Sequence, residues 1–243
     1  LFYTYYMIVL FDADSLVFAS CYRTRKKDEE LEDIYYRDIK DAAGKFDEQF
    51  MKIINDIDEV YDVQNVITFN GSKGNFRKKI TPVYKANRKN QELPPLLHEL
   101  HDYVKQNYSS VYGYGIETDD LVAKHWYEIQ KEAGREQVII CAIDKDYKQF
   151  NCLIWNYHKK ILLDISQQEA LYNFYEQMIT GDTADNVNYF RGKGKKFAEK
   201  YYKGCKTKYQ YTKRLYKLFK KEYKGKARQK YVECYNLLKL RND

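Results

Sequence analysis

Two continuous apolar runs, each followed at once by aspartates, limit most strongly what this chain can fold into. Gln137–Ile143 has the clearest pattern of a buried strand, and Asp144–Asp146 comes directly after it. Met7–Phe11 repeats the pattern and ends at Asp12. Strands that are apolar on both faces are typical of parallel sheets covered by helices, whose ligands gather at the carboxyl ends of the strands. The runs therefore predict an α/β fold with aspartates at its binding edge.

Helical and extended patterns alternate along the rest of the chain. Lys45–Val60 has apolar residues at helical spacing, and Pro94 and Pro95 open a further helix. Other strands are predicted at Val63–Phe69, Leu153–Trp155 and Ile161–Leu163, and other helices at Tyr211–Tyr223 and Lys230–Leu240. This alternation predicts a mostly parallel sheet flanked by helices. Because there is no long linker and no internal repeat, we expect one folding unit with a core at 7–165 and a helical lobe at 166–243.

Acidic side chains recur at the ends of these elements. Glu117–Asp120 precedes an amphipathic segment, where Thr118 can cap a helix and the helix dipole favours carboxylates. A helix start is one interpretation of this stretch, but three acids in four residues exceed what capping needs. Asp182 and Asp185 share one face if their segment is helical. The carboxylates expected to converge are Asp12, Glu117, Asp119, Asp120, Asp144, Asp146, Asp182 and Asp185.

Carboxylates gathered on one rim need compensating positive charge. Two like charges ~4 Å apart repel by roughly 4 kcal/mol at an effective dielectric constant of 20. A site built from oxygen ligands, without cysteine or histidine, selects Mg²⁺ or Mn²⁺. Two such ions could stabilise the attacking and the leaving oxygens of a phosphodiester displacement. The acids therefore indicate a centre for two divalent cations.

Basic residues flank the acidic ones. Between residues 73 and 88, cations are interleaved with Phe76 and Tyr84, a mixture that suits the phosphates and unpaired bases of a single strand. Between Arg191 and Lys230 there are seventeen Lys or Arg against two Glu, which predicts a polyanionic partner for that region. Gly192 and Gly194 form a turn there, at which the backbone can approach a ligand closely. For both stretches, a solvated basic surface is the alternative.

Several other kinds of site and protein are not expected. The five cysteines show no CxxC pairing and are expected to be reduced packing residues of an intracellular protein. His98 and His101 are joined by no cysteine or third histidine, so we expect surface histidines and no zinc site. No run approaches the roughly 18 apolar residues that span a bilayer, and Met7–Leu10 is too short for a signal peptide. We expect a cytoplasmic monomer that does not contact membranes.

The ordered motifs FDAD, FNGSKGNFR…YKANR, ETDD, AIDKD and GDTADN…GKGKK resemble the 5′ nuclease (flap endonuclease) superfamily. Within this superfamily, the motifs especially resemble those of the bacteriophage 5′ to 3′ exonucleases and of the bacterial polymerase-associated domain. The resemblance covers roughly Met7–Tyr202. It implies a PIN-like α/β core, a helical arch at about 73–100 and a C-terminal helix-three-turn-helix lobe that grips duplex DNA.

The resemblance also implies a function. It is that of a metal-dependent 5′ to 3′ exonuclease or flap endonuclease, which cuts DNA near 5′ ends or single-strand/double-strand junctions. Flapped, branched or nicked duplexes are the implied substrates, with RNA:DNA hybrids as a further one, and replication proteins are candidate partners. A free-standing chain of this size, with no polymerase attached, suggests a phage protein in the host cytoplasm.

Single residues take roles from the same resemblance. It implies a first metal site at Asp12, Glu117, Asp119 and Asp120, with Asn70 as a further oxygen ligand, and a second at Asp144, Asp146, Asp182 and Asp185. Lys85 matches a lysine that assists at the scissile phosphate, so Lys85, Asp144 and Asp146 are the candidate catalytic residues. Arg77, Tyr84 and Arg88 match arch positions that meet the passing strand. Gly192 and Gly194 match a hairpin that approaches duplex phosphates, beside Lys195 and Lys196.

Two departures from the family pattern leave alternatives open. Asn70 stands where the family has an aspartate, which keeps an oxygen ligand but removes one negative charge. A catalytically silent protein that binds branched DNA is therefore one alternative. Tyr189, Arg191 and Lys193 replace hairpin residues of the family, whose members can bind K⁺ there, so we do not expect K⁺ here. A PIN-type ribonuclease, which shares the acidic rim but needs neither the arch nor the hairpin, is the second alternative.

Overall fold

A six-stranded sheet forms the centre of the molecule. The computed structural model describes residues 6–23 and 34–242. Its strands are β1 (Tyr6–Asp12), β2 (Asp62–Phe69), β3 (Ser110–Val111), β4 (Val138–Cys141), β5 (Leu153–Asn156) and β6 (Ile161–Asp164). Their order is β3-β2-β1-β4-β5-β6, and every neighbouring pair is parallel except β5 and β6. The predicted α/β fold with a mostly parallel sheet is confirmed.

The register of the central strands brings the acidic segments to one edge. Asp12 of β1 pairs with Phe69 of β2, and Phe11 pairs with Cys141 of β4. The chain therefore leaves all three strands at the same level, because parallel strands end on the same side. β4 is shorter than the predicted Gln137–Ile143, since a 3-10 turn at Arg135–Gln137 precedes it.

Helices cover both faces of the sheet. They are α1 (Asp14–Ser20), α2 (Ile39–Asp58), α3 (Arg77–Ile80), α4 (Leu97–Asn107), α5 (Thr118–Ala133), α6 (Gln167–Thr180), α7 (Lys195–Tyr202), α8 (Lys208–Tyr223) and α9 (Ala227–Leu238). Val9 and Phe11 pack with α1, α2 and α4, whereas Leu10 packs with α5 on the other face. This split follows from the alternation of side chains along β1. All five cysteines are buried and free, as expected of packing residues.

The C-terminal helices α6 to α9 build a second core of their own. It is rich in tyrosine, including Tyr175, Tyr202 and Tyr211. The lobe is also joined to the sheet, because Ala170 and Leu240 pack into the cluster on the α5 face. The boundary at residue 165 stays a prediction. Among the helices of the described ranges, none is both long and apolar enough to cross a bilayer.

The segment expected to form a helical arch is mostly irregular, which corrects that expectation. Between residues 73 and 96 it contains only the single turn α3 and a 3-10 turn at Ala86–Arg88. The segment is basic and has no apolar helical period, and Pro82 restricts the residue before it to extended conformations. Lys85 has a left-handed backbone with φ of 54°. The Lys85 backbone N–H donates to the Asp185 carbonyl oxygen at 2.9 Å, so the loop lies against the acidic edge of the sheet.

Candidate active site

An acidic cleft of about 240 Å³ lies at the carboxyl edge of the sheet. Its acidic lining residues are Asp12, Asp14, Glu117, Asp119, Asp144, Asp146, Asp182 and Asp185, and its basic ones are Lys85, Arg88 and Lys145. The carboxylates come from the end of β1, the starts of α1 and α5, the loop after β4 and the turn after α6. Seven of the eight carboxylates that the sequence predicts to converge therefore line one cleft.

Asp182 and Asp185 reach the cleft from a tight turn, so the helical face considered for them is absent. α6 ends before them, and Asp182 and Val187 exchange two backbone hydrogen bonds of 2.8 Å. Gly181 opens this turn with φ of 73°, and a Cβ there would lie 2.1 Å from the Val187 carbonyl oxygen. Glycine is the residue that fits this position.

Glu117, Asp119 and Asp120 form a compact acid group at the start of α5. One carboxylate oxygen from each lies within 4.8 Å of the others. Burial, with the charges of Asp120 and Glu117, raises the pKa of Asp119 well above its usual value. Burial acts in the same direction on Glu117, but Lys85 and Arg77 outweigh it and lower the Glu117 pKa. The repulsion on Asp119 would be relieved by a cation bound between it and Glu117.

Arg77 lies beneath this group, which corrects its assignment to the passing strand. Its side chain is 1% exposed, and each of the five N–H groups of its guanidinium has an acceptor. Nη1 donates to Glu117 and Asp120, and Nη2 to Asp120 and the Lys239 carbonyl oxygen. Nε donates to the Leu237 carbonyl oxygen at 3.0 Å. A buried guanidinium needs all these partners, and none is left for a phosphate.

Asp120 is the partner of Arg77 and does not itself line the cleft, and its place in the first metal site stays a prediction. It is fully buried. Its Oδ1 and Oδ2 accept from the two Nη atoms of Arg77 at 2.8 and 2.6 Å. Oδ1 also accepts from the Arg241 backbone N–H at 2.8 Å. These three hydrogen bonds hold Asp120 beside Glu117 and Asp119 at the start of α5.

Asn70 is turned away from the cleft, which corrects its prediction as an oxygen ligand. It is fully buried, its Nδ2 donates to the His101 carbonyl oxygen at 2.8 Å, and its Oδ1 is hydrogen-bonded to the His101 ring. Burial lowers the pKa of His101. His101 is thus a partly buried histidine with its side chain 17% exposed, whereas His98 is exposed as expected.

Asp144, Asp146 and Asp182 form a second acid group. The Asp146 backbone N–H donates to Asp144 Oδ1 at 2.8 Å, and Gln177 donates to Asp146 and Asp182 at 2.8 and 3.3 Å. Burial and the charge of Asp144 raise the pKa of Asp146 to about 7. Burial acts to raise the pKa of Asp182, but Lys145 outweighs burial and lowers that pKa. The Lys145 Nζ lies 2.5 Å from Asp182 Oδ2. Each group thus contains one carboxylate paired with a lysine and others that repel one another.

Asp12 lies close to both acid groups. Burial, followed by the charge of Asp14, raises its pKa to about 7, and Asp144 adds to the effect. The Tyr147 hydroxyl donates to Asp12 Oδ2 at 2.6 Å and opposes the shift. Asp12 is therefore held in place by one neutral donor while its acidic neighbours disfavour its charge.

The basic loop meets the acids through Lys85 and Arg88. Lys85 Nζ is paired with Glu117 and lies 3.5 Å from Asp185 Oδ1, which is 3.0 Å from Arg88 Nη2. Tyr84, in contrast, is 3% exposed. Its hydroxyl donates to Asp185 at 2.7 Å and lies 3.0 Å from Glu117 Oε2. This position corrects the assignment of Tyr84 to the passing strand, since the ring packs into the core of the helical lobe. Lys85 and Arg88 line the cleft, and their contacts with a nucleic-acid strand stay predictions.

The Gly192–Lys196 turn is not part of the acidic cleft. Gly194 directly precedes α7, and the Lys195 side chain is 84% exposed, 3.7 Å from Glu176. Lys195 lines an adjoining cleft that shares Lys145, Asp146 and Asp182 with the acidic one. The turn with Gly192 and Gly194 and the first residues of α7, Lys195 and Lys196, thus lie outside the acidic cleft, and their contact with duplex DNA stays a prediction.

The residues lining the cleft fit hard divalent cations. Acidic side chains exceed basic ones there by five. Burial is the first cause of the raised pKa values of Asp12, Asp119, Asp144 and Asp146, and neighbouring acids are further causes for each. The available donors are carboxylate oxygens, which Mg²⁺ and Mn²⁺ prefer. A bound cation would remove the repulsion that disfavours ionisation.

Four residues of the site have no role in the sequence analysis. Asp14 and Lys145 lie inside the FDAD and AIDKD motifs, so their proximity to Asp12 and to Asp144 was a usable signal. Tyr147 carries no such signal, because its acidic partner Asp12 is 135 residues away. Gln177 bonds Asp146, 31 residues away, and also Asp182, five residues away, but it lies outside the GDTADN motif.

A family model and a curated protein match this chain in sequence. The model for the 5′-3′ exonuclease, N-terminal resolvase-like domain, matches residues 7–177. The 5′-3′ exonuclease of Buchnera aphidicola subsp. Schizaphis graminum is 29% identical over 137 residues, which cover 50% of this chain and 46% of that protein. The chain thus spans about half the length of the curated relative it matches.

Solved structures share the fold at low sequence identity. A flap endonuclease variant from bacteriophage T5, in a pseudo-enzyme–product complex with DNA and metal ions, aligns with a TM-score of 0.62 at 14% identity, over 95% of this chain and 88% of that one. The T5 5′-exonuclease with bound zinc has a TM-score of 0.64 at 14% identity, with the same coverage. The catalytic core of Rad2 with DNA substrate has a TM-score of 0.51 at 10% identity, over 99% and 81% of the two chains. At these identities the similarity shows the fold.

Proposed function

The chain belongs to the 5′-3′ exonuclease family, and from this premise we propose that it is a divalent-metal-dependent, structure-specific 5′ nuclease. It would hydrolyse phosphodiester bonds near 5′ ends or single-strand/double-strand junctions of DNA. One observation carries the proposal: seven predicted carboxylates from separate segments line a single cleft together with Lys85 and Arg88. That cleft combines ligands for divalent cations with side chains that attract phosphate.

Two Mg²⁺ or Mn²⁺ ions are proposed as the cofactors. Asp12, Glu117, Asp119 and Asp120 would hold one ion, and Asp144, Asp146, Asp182 and Asp185 the other. When bound, such ions stabilise the attacking and leaving oxygens of a phosphodiester displacement. The raised pKa values of Asp119 and Asp146 support this role, because a group that repels its neighbours gains most from a cation.

Lys85 is proposed to hold the scissile phosphate. Its ammonium is paired with Glu117 and is partly exposed at the cleft. An ammonium has three N–H donors, so this pairing leaves donors for a phosphate oxygen. Burial opposes the charge, but Glu117 and Asp185 raise the pKa of Lys85, which keeps the side chain protonated at neutral pH.

DNA is the proposed substrate class, with RNA:DNA hybrids as a second one. The T5 and Rad2 structures that share the fold are complexes with DNA, which supports this choice. Arg88 is exposed at the rim, and Lys195 extends the basic surface beyond the cleft. Positive groups on this path would neutralise successive phosphates, so binding should weaken as salt is raised.

Cleavage of end-labelled oligonucleotides tests the proposed function. A 5′-flap duplex, a 3′-flap duplex and single-stranded RNA are incubated with Mg²⁺, Mn²⁺ or chelator. We expect cleavage of the 5′-flap duplex in the presence of either metal and none in chelator. Preferential cleavage of single-stranded RNA would instead indicate a PIN-type ribonuclease. Binding of the flap without cleavage would indicate a silent branched-DNA-binding protein.

A further inference from the structure

Asp14 faces the acidic cleft but has no role in the assignments above. It is the first residue of α1, the second aspartate of the FDAD motif, and one of the residues that line the cleft. Asn70, which was expected to provide an oxygen at this end of the cleft, is buried against His101. We propose that Asp14 is an additional metal-ligating carboxylate of the first metal site and provides the oxygen that Asn70 does not. This inference rests on the proposed function.

Two hydrogen bonds orient the Asp14 carboxylate. The Gly71 backbone N–H donates to Oδ1 at 2.7 Å, and the Thr118 hydroxyl donates to Oδ2 at 2.7 Å. Gly71 follows β2 and Thr118 starts α5, so the carboxylate is fixed where the elements of the first acid group meet. Each carboxylate oxygen has a second lone pair. With its side chain 42% exposed, Asp14 retains acceptor sites that a cation can reach.

Asp14 is also close to the carboxylate that anchors the first site. Its backbone N–H approaches Asp12 Oδ1 at 3.4 Å. Both side chains line the cleft. Two neighbouring carboxylates are stabilised by a shared divalent cation, because the ion turns their repulsion into two attractions.

Asn70 is unable to take this role at low cost. Its amide nitrogen and oxygen are both bonded to His101 inside the protein. Turning the side chain toward the cleft would break both hydrogen bonds and leave the partly buried carbonyl group and ring of His101 without these partners. Asp14 needs no such rearrangement, since it already lines the cleft.

Binding of Mn²⁺, followed by the electron paramagnetic resonance signal of the free ion, tests the inference without reference to cleavage. Asp14→Asn is compared with the wild type and with Asp102→Asn, a control that changes an exposed carboxylate on α4. Loss of groups that only support metal ligands typically weakens affinity about 10–100-fold. We therefore expect Asp14→Asn to weaken one Mn²⁺ site by at least about tenfold and Asp102→Asn to leave both sites unchanged.

Thr118→Val provides a second, milder variant. It removes one of the two donors that orient Asp14 and leaves the carboxylate present, so a smaller loss of Mn²⁺ affinity is expected. Circular dichroism confirms that each variant is folded, and Thr118→Val decides the question if Asp14→Asn does not fold. Unchanged Mn²⁺ affinity in a folded variant would overturn the inference and leave Asp14 as an acceptor for Gly71 and Thr118. Failure of the wild type to bind Mn²⁺ would instead contradict the proposed function.

Discussion

Arg77 and Asp120 form a buried ion pair joined at two points, with Nη1–Oδ2 and Nη2–Oδ1 distances of 2.6 and 2.8 Å. The same guanidinium donates to carbonyl oxygens at the end of α9. A planar guanidinium matches a carboxylate in this way, whereas an ammonium does not. The pair therefore ties the helical lobe to the start of α5, where Glu117 and Asp119 face the cleft.

Removing Arg77 should destabilise the whole protein. Arg77→Met leaves the Asp120 charge buried without a partner, which typically costs about 3–5 kcal/mol. The free energy of unfolding, measured by urea denaturation, should fall by that amount. The double variant Arg77→Met/Asp120→Leu should recover much of the loss, because both buried charges are absent. A loss below about 1 kcal/mol in the single variant would be typical of an exposed ion pair and would contradict the burial described here.

Replacing Lys85 should affect cleavage more than binding. Lys85→Ala removes the ammonium proposed to contact the scissile phosphate, and the loss of such a charge-stabilising group typically lowers the rate about 10²–10³-fold. Single-turnover cleavage and equilibrium binding of a 5′-flap duplex measure the two effects. Lys89→Ala, which changes an exposed lysine of the same loop, is the control and should leave the rate unchanged. Equal losses of rate and affinity in Lys85→Ala would reduce Lys85 to a simple phosphate contact.

Two glycines with positive φ provide a matched pair of backbone variants. Gly181→Ala places a Cβ 2.1 Å from the Val187 carbonyl oxygen, whereas Gly192→Ala meets no atom within 4 Å. Both alanines bear the strain of a left-handed backbone, about 1–3 kcal/mol. Gly181→Ala must in addition open the turn that positions Asp182 and Asp185. Urea denaturation should show a clearly larger loss for Gly181→Ala, and equal losses would show that the turn adapts freely.

The stability of the metal-free protein should fall as pH rises from about 4 to about 7. The pKa values of Asp12 and Asp146 are about 7 in the folded protein, against 3.8 for the unfolded chain. In this window the folded state binds more protons than the unfolded state, so raising the pH favours unfolding. The lowered pKa values of Glu117 and Asp182 act in the opposite direction, but only at lower pH. The lowered pKa of His101 also opposes the effect, near pH 6, but it is one group against four aspartates with raised pKa values, Asp12, Asp119, Asp144 and Asp146.

Thermal melting in chelator at pH 5 and pH 8 measures this effect. The melting temperature should be lower at pH 8, and Mn²⁺ should raise it more at pH 8 than at pH 5, because the ligands must be ionised to bind. A melting temperature that rises from pH 5 to pH 8 in chelator would contradict the clustering of buried acids.

The sheet and most of the acidic cleft could be predicted because their signals are local in sequence. Apolar runs such as Met7–Phe11 mark buried strands wherever they occur, and parallel strands bring the residues after them to one edge. Asp12, Asp144 and Asp146 follow from that rule alone. Glu117 and Asp119 follow from an excess of acids at a helix start.

The errors in the site arise where contacts are distant in sequence. From the sequence, Arg77 is predicted to contact a nucleic-acid strand. In the structure it is bonded to Asp120 and to an α9 carbonyl oxygen, which are 43 and 160 residues away. Tyr84 bonds Asp185 across 101 residues. Asn70 is directed away from the cleft by His101, whose place on α4 gave no sign of the pairing. Residue type and spacing did not distinguish these buried polar groups from surface ones.

The central claim is that the carboxylates of the cleft hold the divalent cations that cleavage requires. The most direct measurement compares single-turnover cleavage of a 5′-flap duplex by the wild type and by Asp146→Asn in saturating Mn²⁺, with the affinity for the same DNA measured in parallel. We predict that Asp146→Asn lowers the rate by at least about 100-fold, in the range found when a charge-stabilising group is lost, and does not weaken DNA binding. Cleavage by Asp146→Asn at the wild-type rate would contradict the claim.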